Sequence, residues 1–368
     1  MKFSLPVAVF QDSVREKKKP RTMALLAIGL SVGGLIGLAY AFRESQQKKL
    51  PVANFESGND NLYSEAPPKD LVARRVVNPN DKSDFHLTLY QYQPCPFCCK
   101  VRSFLDYAGF SYDVVEVNPV TKRQLNWSSY KKVPIVVAKV KEGYQQLNDS
   151  SLIISVLSSY LHGEEKNLLE IVKCYPKVQY DDEKGKRRSE VMNQYFVMFG
   201  EKQPNERSPE SITEERQWRK WADDVLMHTI SPNIYRTWNE ALQAFEMFSR
   251  NGDWKRIFAR WEELMVIYVG AAVMYLIGKR LKKRHHLADD VRQSLYEQVN
   301  HFLKYIDQQG TKFIGGKEPN LGDLAVYGCL NSIEGTQTFI DLLANTNLIV
   351  WYENMNQIMD RSRGQVVE

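Results

Sequence analysis

Apolar and polar residues alternate over residues 86–92, with Leu87 and Leu89 on one side and Thr88, Tyr90 and Tyr92 on the other, which is the period of a strand in a covered sheet. The period then changes. Val101, Phe104, Leu105 and Ala108 fall at helical spacing, and Gly109 offers a left-handed stop, so the spacing predicts a helix ending there. Residues 112–117 predict a second strand and 120–127 a second helix. The β-branched run Ile135-Val136-Val137 predicts a buried third strand, and 144–147, after the Glu142-Gly143 turn, a fourth. Asn148-Asp149-Ser150-Ser151 then open a helix whose buried stripe is Leu152, Ile153, Val156, Leu157, Tyr160 and Leu161. The order over residues 84–162 is strand, helix, strand, helix, strand, strand, helix.

The flanks follow other patterns. Residues 1–22 are basic, and 23–42 run as 20 uncharged, mostly apolar residues, about 30 Å of helix and so about one hydrocarbon core. Gly29, Gly33 and Gly37 leave a smooth face on it. The run predicts a transmembrane anchor, with a cleaved secretory signal or transit peptide as alternatives. Residues 43–80 are polar, with Pro67-Pro68, and predict a flexible tether open to proteolysis. Residues 163–210 are charged and irregular and predict a solvated connecting insertion with a hairpin tip at 181–188. From 211 to 360 the pattern is helical, with Trp218, Trp221, Ala222, Val225 and Leu226 on one face. Residues 264–278 are almost wholly apolar but too few to span a bilayer, so they predict the central helix of a soluble helical domain. Asn320 and Asp323, three apart, predict a variant capping box that starts a buried helix.

Composition adds limits. A chain of 368 residues, 43% hydrophobic and 25% charged, is long enough for two globular domains. Its net charge of +5 comes from 49 basic and 44 acidic residues that are largely intermixed, which gives no reason for a nucleic-acid partner. Five cysteines, with Cys95, Cys98 and Cys99 crowded in one turn and Cys174 and Cys329 alone, make no disulfide framework and point to a reducing compartment. Six histidines offer no zinc-ligand spacing, so no metal is expected. The chemistry gathers at the strand-to-helix turn. There Cys95 meets the first unpaired N–H groups of a helix, whose positive potential favours thiolate over thiol and so makes a nucleophile near neutral pH. Cys99 reads as a small buried residue, with resolution of an oxidised Cys95 or Cys98 as the alternative.

Cys95-Pro96-Phe97-Cys98, then Val133-Pro134, then Asp149-Ser150 resemble the thioredoxin fold in its glutathione-binding form, as in glutaredoxins and glutathione transferases. The resemblance implies a βαβαββα α/β domain, a cis proline that turns the Val133 backbone toward the cysteine of bound glutathione, and Asp149 and Ser150 on the γ-glutamyl end. A plain N-cap is the other reading of Asp149 and Ser150. Gly315-Gly316 followed by the capping box resembles the helical domain of glutathione transferases. It implies an all-α C-terminal domain.

With the apolar run 23–42, Trp221-Ala222-Asp223-Asp224, Ile230-Ser231-Pro232-Asn233, Lys279-Arg280-Leu281-Lys282 and Asp323-Leu324-Ala325, the chain resembles the membrane-associated type 2 prostaglandin E synthase family from about 84 to 352. This implies an isomerase acting on a lipid endoperoxide, prostaglandin H2, to give prostaglandin E2. It also implies glutathione as cofactor, haem bound through the glutathione sulfur in a form that degrades the endoperoxide, and a homodimer. By the same resemblance Cys95 is the catalytic thiol with Cys98 beside it, Tyr92 hydrogen-bonds near it, and Phe97, Val133, Pro134, Asp149 and Ser150 line the glutathione pocket. His228, Ser231 and Arg280 are candidates for anionic groups such as haem propionates, although a lone helical histidine is also a common structural residue. Pro94 before Cys95, and Cys99 after the pair, depart from the pattern.

Charge bias around the anchor would send the domain across the membrane. The sequons at Asn126 and Asn148, the second inside the proposed pocket, and the reduced cysteines argue for a cytosolic domain on Golgi-type membrane. The basic N-terminus keeps a mitochondrial address open. Two other classes remain: a glutathione-dependent thiol-disulfide oxidoreductase using Cys95 and Cys98, and a non-catalytic membrane-anchored glutathione or haem binder.

Overall fold

The sheet begins earlier than the hydrophobic pattern suggests. Where a tether is predicted over 43–80, the chain forms β1 (Leu62–Tyr63) and β2 (Arg74–Val77). Strands of two and four residues give no readable alternation, and their partners far along the chain hold them in place. The structure is a computed structural model that describes residues 61–181, 187–198 and 207–367, all within a unit that begins at Phe55. The basic segment 1–22, the expected anchor 23–42 and the first part of the tether lie outside the described residues.

The next elements follow the pattern closely: β3 (Leu87–Gln91), α1 (Pro96–Ala108), β4 (Tyr112–Glu116), β5 (Ile135–Val140), β6 (Gly143–Asn148) and α2 (Ser150–His162). Pro96 opens α1 where its missing N–H costs nothing, and Gly109 ends it at φ 78°. The helix predicted over 120–127 does not form. Only a 3-10 turn, Arg123–Leu125, is present: Asn118 Oδ1 caps the amides of Val120 and Thr121, both at 3.0 Å, but Lys122 then turns left-handed at φ 50°, which stops a helix after its first turn. Val120 is accordingly exposed, and Leu125 alone anchors the turn in the core.

The insertion 163–210 is more ordered than a solvated loop. It contains α3 (Leu168–Lys173) and a hairpin of β7 (Lys177–Asp181) and β8 (Arg187–Val191), whose tip lies outside the described residues. Leu168, Ile171 and Tyr175 enter the main core. Then α4 (Pro209–Trp221) passes through a π-helical stretch, Ala222–Leu226, into α5 (Met227–Ile234). The helical region continues with α6 (Trp238–Asn251), α7 (Trp254–Ile257), α8 (Arg260–Arg284), α9 (Val291–Gln309), α10 (Leu321–Asn331), α11 (Gln337–Asn345) and α12 (Leu348–Ser362). The final strand β9 (Gln365–Val367) returns to the sheet, whose order is β1-β6-β5-β3-β4-β2-β9, with β3 and β4 parallel and the other pairs antiparallel.

Both faces of this sheet are covered. Leu87, Leu89, Val114 and Leu147 join α1, α2 and the helical region in one core, while Tyr90, Val115, Val137 and Leu125 form a smaller one behind. The predicted capping box starts α10: Asn320 Oδ1 accepts from Gly322 and Asp323, and Asp323 accepts from the amides of Ile314 (2.9 Å), Gly315 (3.0 Å) and Asn320 (3.1 Å). Gly328 lets α10 meet α1, since a Cβ there would stand 2.4 Å from the Lys100 Cα.

The apolar segment 264–278 is helical, as expected, but only partly covered. It belongs to α8, 25 residues long, whose most apolar 18-residue window is only 22% buried and which by length and composition could cross a membrane. The helix runs on past Glu263 and Lys279, the charges that bound the apolar segment, and the apolar pattern gave no indication of which face was covered.

Candidate active site

Strand register brings three chain segments together. Tyr90 lies opposite Ile135, and Ile135 opposite Asn148, so the end of β3, the start of β5 and the end of β6 stand side by side. They carry Cys95, Val133-Pro134 and Asp149. The Val133-Pro134 peptide is cis, as the resemblance implies.

Cys95 is the N-cap of α1 and partly exposed, its own amide donating to Tyr92 O at 3.1 Å. A hydrogen bond from the Cys98 thiol pulls its pKa below the usual thiol value. Burial opposes this, and the amides of Cys98 and Phe97 and the Arg102 guanidinium assist. Cys98 is fully buried, and burial followed by the Cys95 charge pushes it well above the usual value. Of the two thiols, Cys95 is therefore the one that ionises first, and Cys98 is the one that keeps its proton. Cys99 is 2% exposed, with Arg102 Nη2 at 2.9 Å from its sulfur, and burial pushes its thiol up, so it is the small buried residue expected.

Tyr92 packs its ring against the smaller core, and its main chain touches both cysteines. Phe97 is 37% exposed beside the turn. Tyr130, which was not foreseen, is pushed up to about 12 by burial, with the charges of Asp149, Cys98 and Cys95 adding to the effect, which puts all three within its electrostatic reach.

Asp149 caps α2: its Oδ1 accepts from Ser151 N (2.9 Å) and Leu152 N (3.2 Å). The plain-cap reading is thus observed, but it is incomplete. Its backbone sits at φ 72° and ψ 127°, a costly conformation for a residue with a Cβ. Gln194 Nε2, from the insertion, donates to the same Oδ1 at 2.8 Å, and among the described residues no donor reaches Oδ2. Ser150 is buried at the first position of α2.

Behind the pocket lies a network the sequence did not reveal. Lys100, 1% exposed, pairs with Asp223 of the π-helical stretch and donates to Ser151 Oγ at 2.8 Å. Asp223 also accepts from Ser151 Oγ (2.6 Å) and Tyr195 Oη (3.0 Å). Burial works to raise the Asp223 carboxyl, yet the Lys100 ammonium and these hydrogen bonds outweigh it and hold the carboxyl below its ordinary value. One signal was available: Lys100 stands four residues before Phe104, a charge on the apolar stripe of α1.

The candidates for anionic groups are not gathered in this way. His228 is exposed and stacked on His285, ring centroids 4.0 Å apart, in a cavity of about 470 Å³ whose lining includes neither Ser231 nor Arg280. Arg280 is exposed on α8. The largest cavity described, about 750 Å³, reaches Gln93 and Pro94 directly before Cys95, together with Cys99, Arg74 and Arg102, although Cys95 itself is not in its lining.

Residues 89–164, which carry the whole of this arrangement except Lys100's helical partner and the insertion, match the family described as glutathione S-transferase, N-terminal domain. The chain is 42% identical over 363 residues to a Mus musculus protein named prostaglandin E synthase 2, covering 98% of this chain and 87% of that one. The chain belongs to the prostaglandin E synthase 2 family. A Danio rerio protein of the same name is 46% identical over 277 residues, covering 75% and 71% of the two chains.

Among solved structures, glutathione S-transferase III in apo form aligns at TM-score 0.42 and 13% identity over 75% of this chain and 94% of its own. Glutathione transferase F7 from Populus trichocarpa aligns at 0.44 and 11% over 75% and 97%. As a member of the prostaglandin E synthase 2 family, the chain is an enzyme of the isomerase class, with a thioredoxin-like domain of glutathione-transferase type followed by a helical C-terminal region.

Proposed function

We propose that this chain converts prostaglandin H2 to prostaglandin E2, with glutathione held beside Cys95. The observation that carries the reading is the placing of the partly exposed Cys95, at the N-cap of α1, beside the cis Val133-Pro134 peptide and Asp149, with the buried Cys98 thiol favouring ionisation of Cys95 over its own. The Cys95 thiolate takes the proton from the ring carbon bearing one peroxide oxygen. The C–H electron pair becomes the new C=O bond, the O–O bond breaks, and the other oxygen takes the proton back from the Cys95 thiol. Nothing is oxidised or reduced overall, so the step needs no external electron donor.

The residues suit glutathione. The β5 ladder ends at Ile135, which leaves the Val133 backbone outside it for an added strand, and Asp149 Oδ2 is free of described donors and so open to an ammonium group. Bound glutathione supplies a second thiol next to Cys95. Val133, Asp149, Ser150 and Phe97 would hold it. His228, Ser231 and Arg280 share no described cavity, so they do not support a common site for haem propionates.

We place the domain on the cytosolic side of a Golgi-type membrane, anchored through 23–42. The supporting point is that Asn148 of the sequon lies one residue before Asp149, where a glycan would cover the pocket. Conversion of prostaglandin H2 by the purified chain under anaerobic conditions is the test. Cys95→Ser should lower turnover at least about 100-fold, the scale of a positioned acid–base group, and a variant as active as wild type would end the reading.

A second reading, glutathione-dependent thiol-disulfide exchange, is favoured by the neighbouring Cys98 thiol, which hydrogen-bonds to Cys95 and could resolve a mixed disulfide on it. Cys98→Ser separates the two. It should abolish dithiol reduction and leave isomerisation nearly intact, whereas equal loss of both would favour the oxidoreductase.

A further inference from the structure

Among the described residues, one face of α8 has no partner. Its buried side, Glu262, Glu263, Val266, Ile267, Ala271 and Gly278, packs on α6 and α5, where Gly270 meets the Phe245 ring and Gly278 meets Tyr235. On the other side Trp261, Tyr268, Val269, Val273, Leu276 and Ile277 are 37–64% exposed. These residues recur at helical spacing over 261–277, a stripe about 24 Å long at 1.5 Å per residue. An apolar surface of this extent marks an interaction face.

The charges beside it are of one sign. Lys279, Arg280, Lys282, Lys283 and Arg284 crowd the last turns. Lys282 is engaged by Asp289, and the other four have no ion pair among the described residues. The two acids of the helix are buried and paired, Glu262 with Arg123 and Glu263 with Arg260. The exposed face is therefore apolar or basic throughout, with a tryptophan and a tyrosine on it.

We infer that α8 lies flat on an anionic lipid bilayer, its apolar stripe in the headgroup–acyl boundary and its basic end on acidic headgroups. The Glu262–Arg123 pair, the hydrogen bond from Ser249 of α6 to Glu263 and the contacts with α5 and α6 tie the helix to the rest of the described fold, which fixes it on the surface and excludes a span. A twofold contact with a second copy is disfavoured by charge, since the basic end would find no exposed acid on the same helix face to meet. The apolar run 23–42 of the sequence would bring the chain to a bilayer in any case, and α8 would then fix which side of the helical region faces it.

The test uses the full-length chain in vesicles of phosphatidylcholine, with and without phosphatidylserine, and lipids brominated on the acyl chain as quenchers of tryptophan. Wild type should show a quenched component that is missing in Trp261→Phe, larger with phosphatidylserine and weakened by salt. Leu276→Glu with Val273→Glu should reduce it several-fold. Lys279→Gln with Lys283→Gln, which alters only exposed side chains and so leaves folding intact, should remove the phosphatidylserine-dependent part. Absence of Trp261 quenching in anionic vesicles would overturn the inference. So would efficient disulfide cross-linking of Val273→Cys chains in those vesicles, which would show a second copy on this face.

Discussion

At the scale of single residues, the assignment of charge within the turn can be read from reactivity. The Cys95 pKa is lowered first by the Cys98 thiol, so alkylation of Cys95 by iodoacetamide should rise with pH and reach half its plateau below the ordinary thiol value of about 8.5. Removing the donor in Cys98→Ala should move that midpoint upward, and an unchanged midpoint would place the stabilisation elsewhere. Cys95 was legible in the sequence because its chemistry is local: a cysteine just before Pro96, at a change of hydrophobic period, is an N-cap by position alone. The proton on Cys98 was not legible to the same degree. It depends on the complete burial of Cys98, a tertiary property that no local pattern encodes.

At the scale of elements, Asp149 joins a cap to a site, and two substitutions separate them. Asp149→Asn keeps an oxygen for the Ser151 and Leu152 amides and tolerates positive φ, so stability should be nearly unchanged while glutathione affinity, followed by calorimetry, falls. Asp149→Ala should lose both, with a stability cost of about 1 kcal/mol for the cap. If Asp149→Asn binds glutathione as wild type does, Asp149 is a cap and nothing more. The long elements with several turns or clean alternation, α1, α2, β3 and β5, stand where the pattern put them. The failures have specific causes. β1 and β2 are too short to show a period, Lys122 turns left-handed directly after the Asn118 cap and stops a helix there, and α8 is apolar on both faces, so its composition could not tell the packed side from the open one.

At the scale of the whole molecule, the α/β and helical parts are joined through Lys100 and Asp223, a buried pair in which each side comes from a different part. Sequence could not pair residues 123 positions apart, and the π-helical turn that aims Asp223 at α1 has no propensity signature. Lys100→Met leaves a buried carboxylate with only the Ser151 and Tyr195 hydroxyls, and should destabilise the fold by about 3 kcal/mol, seen as a fall in Tm. The pH dependence follows from the sign of the shift. In wild type the folded-state pKa of Asp223 is depressed, so its contribution is complete above the ordinary carboxylate value and lost as pH falls through the lower folded value. In Lys100→Met the burial that now opposes the lysine is left to act alone and raises the carboxyl, so protonation relieves the folded state as pH falls. The stability gap between the two proteins should therefore be widest near neutral pH and narrow toward acid. Adding Asp223→Leu should recover most of the loss, because a matched apolar pair leaves no buried charge unpaired. A gap independent of pH, or no recovery in the double variant, would mean that Lys100 holds the two parts together by packing along α10 and not by its charge.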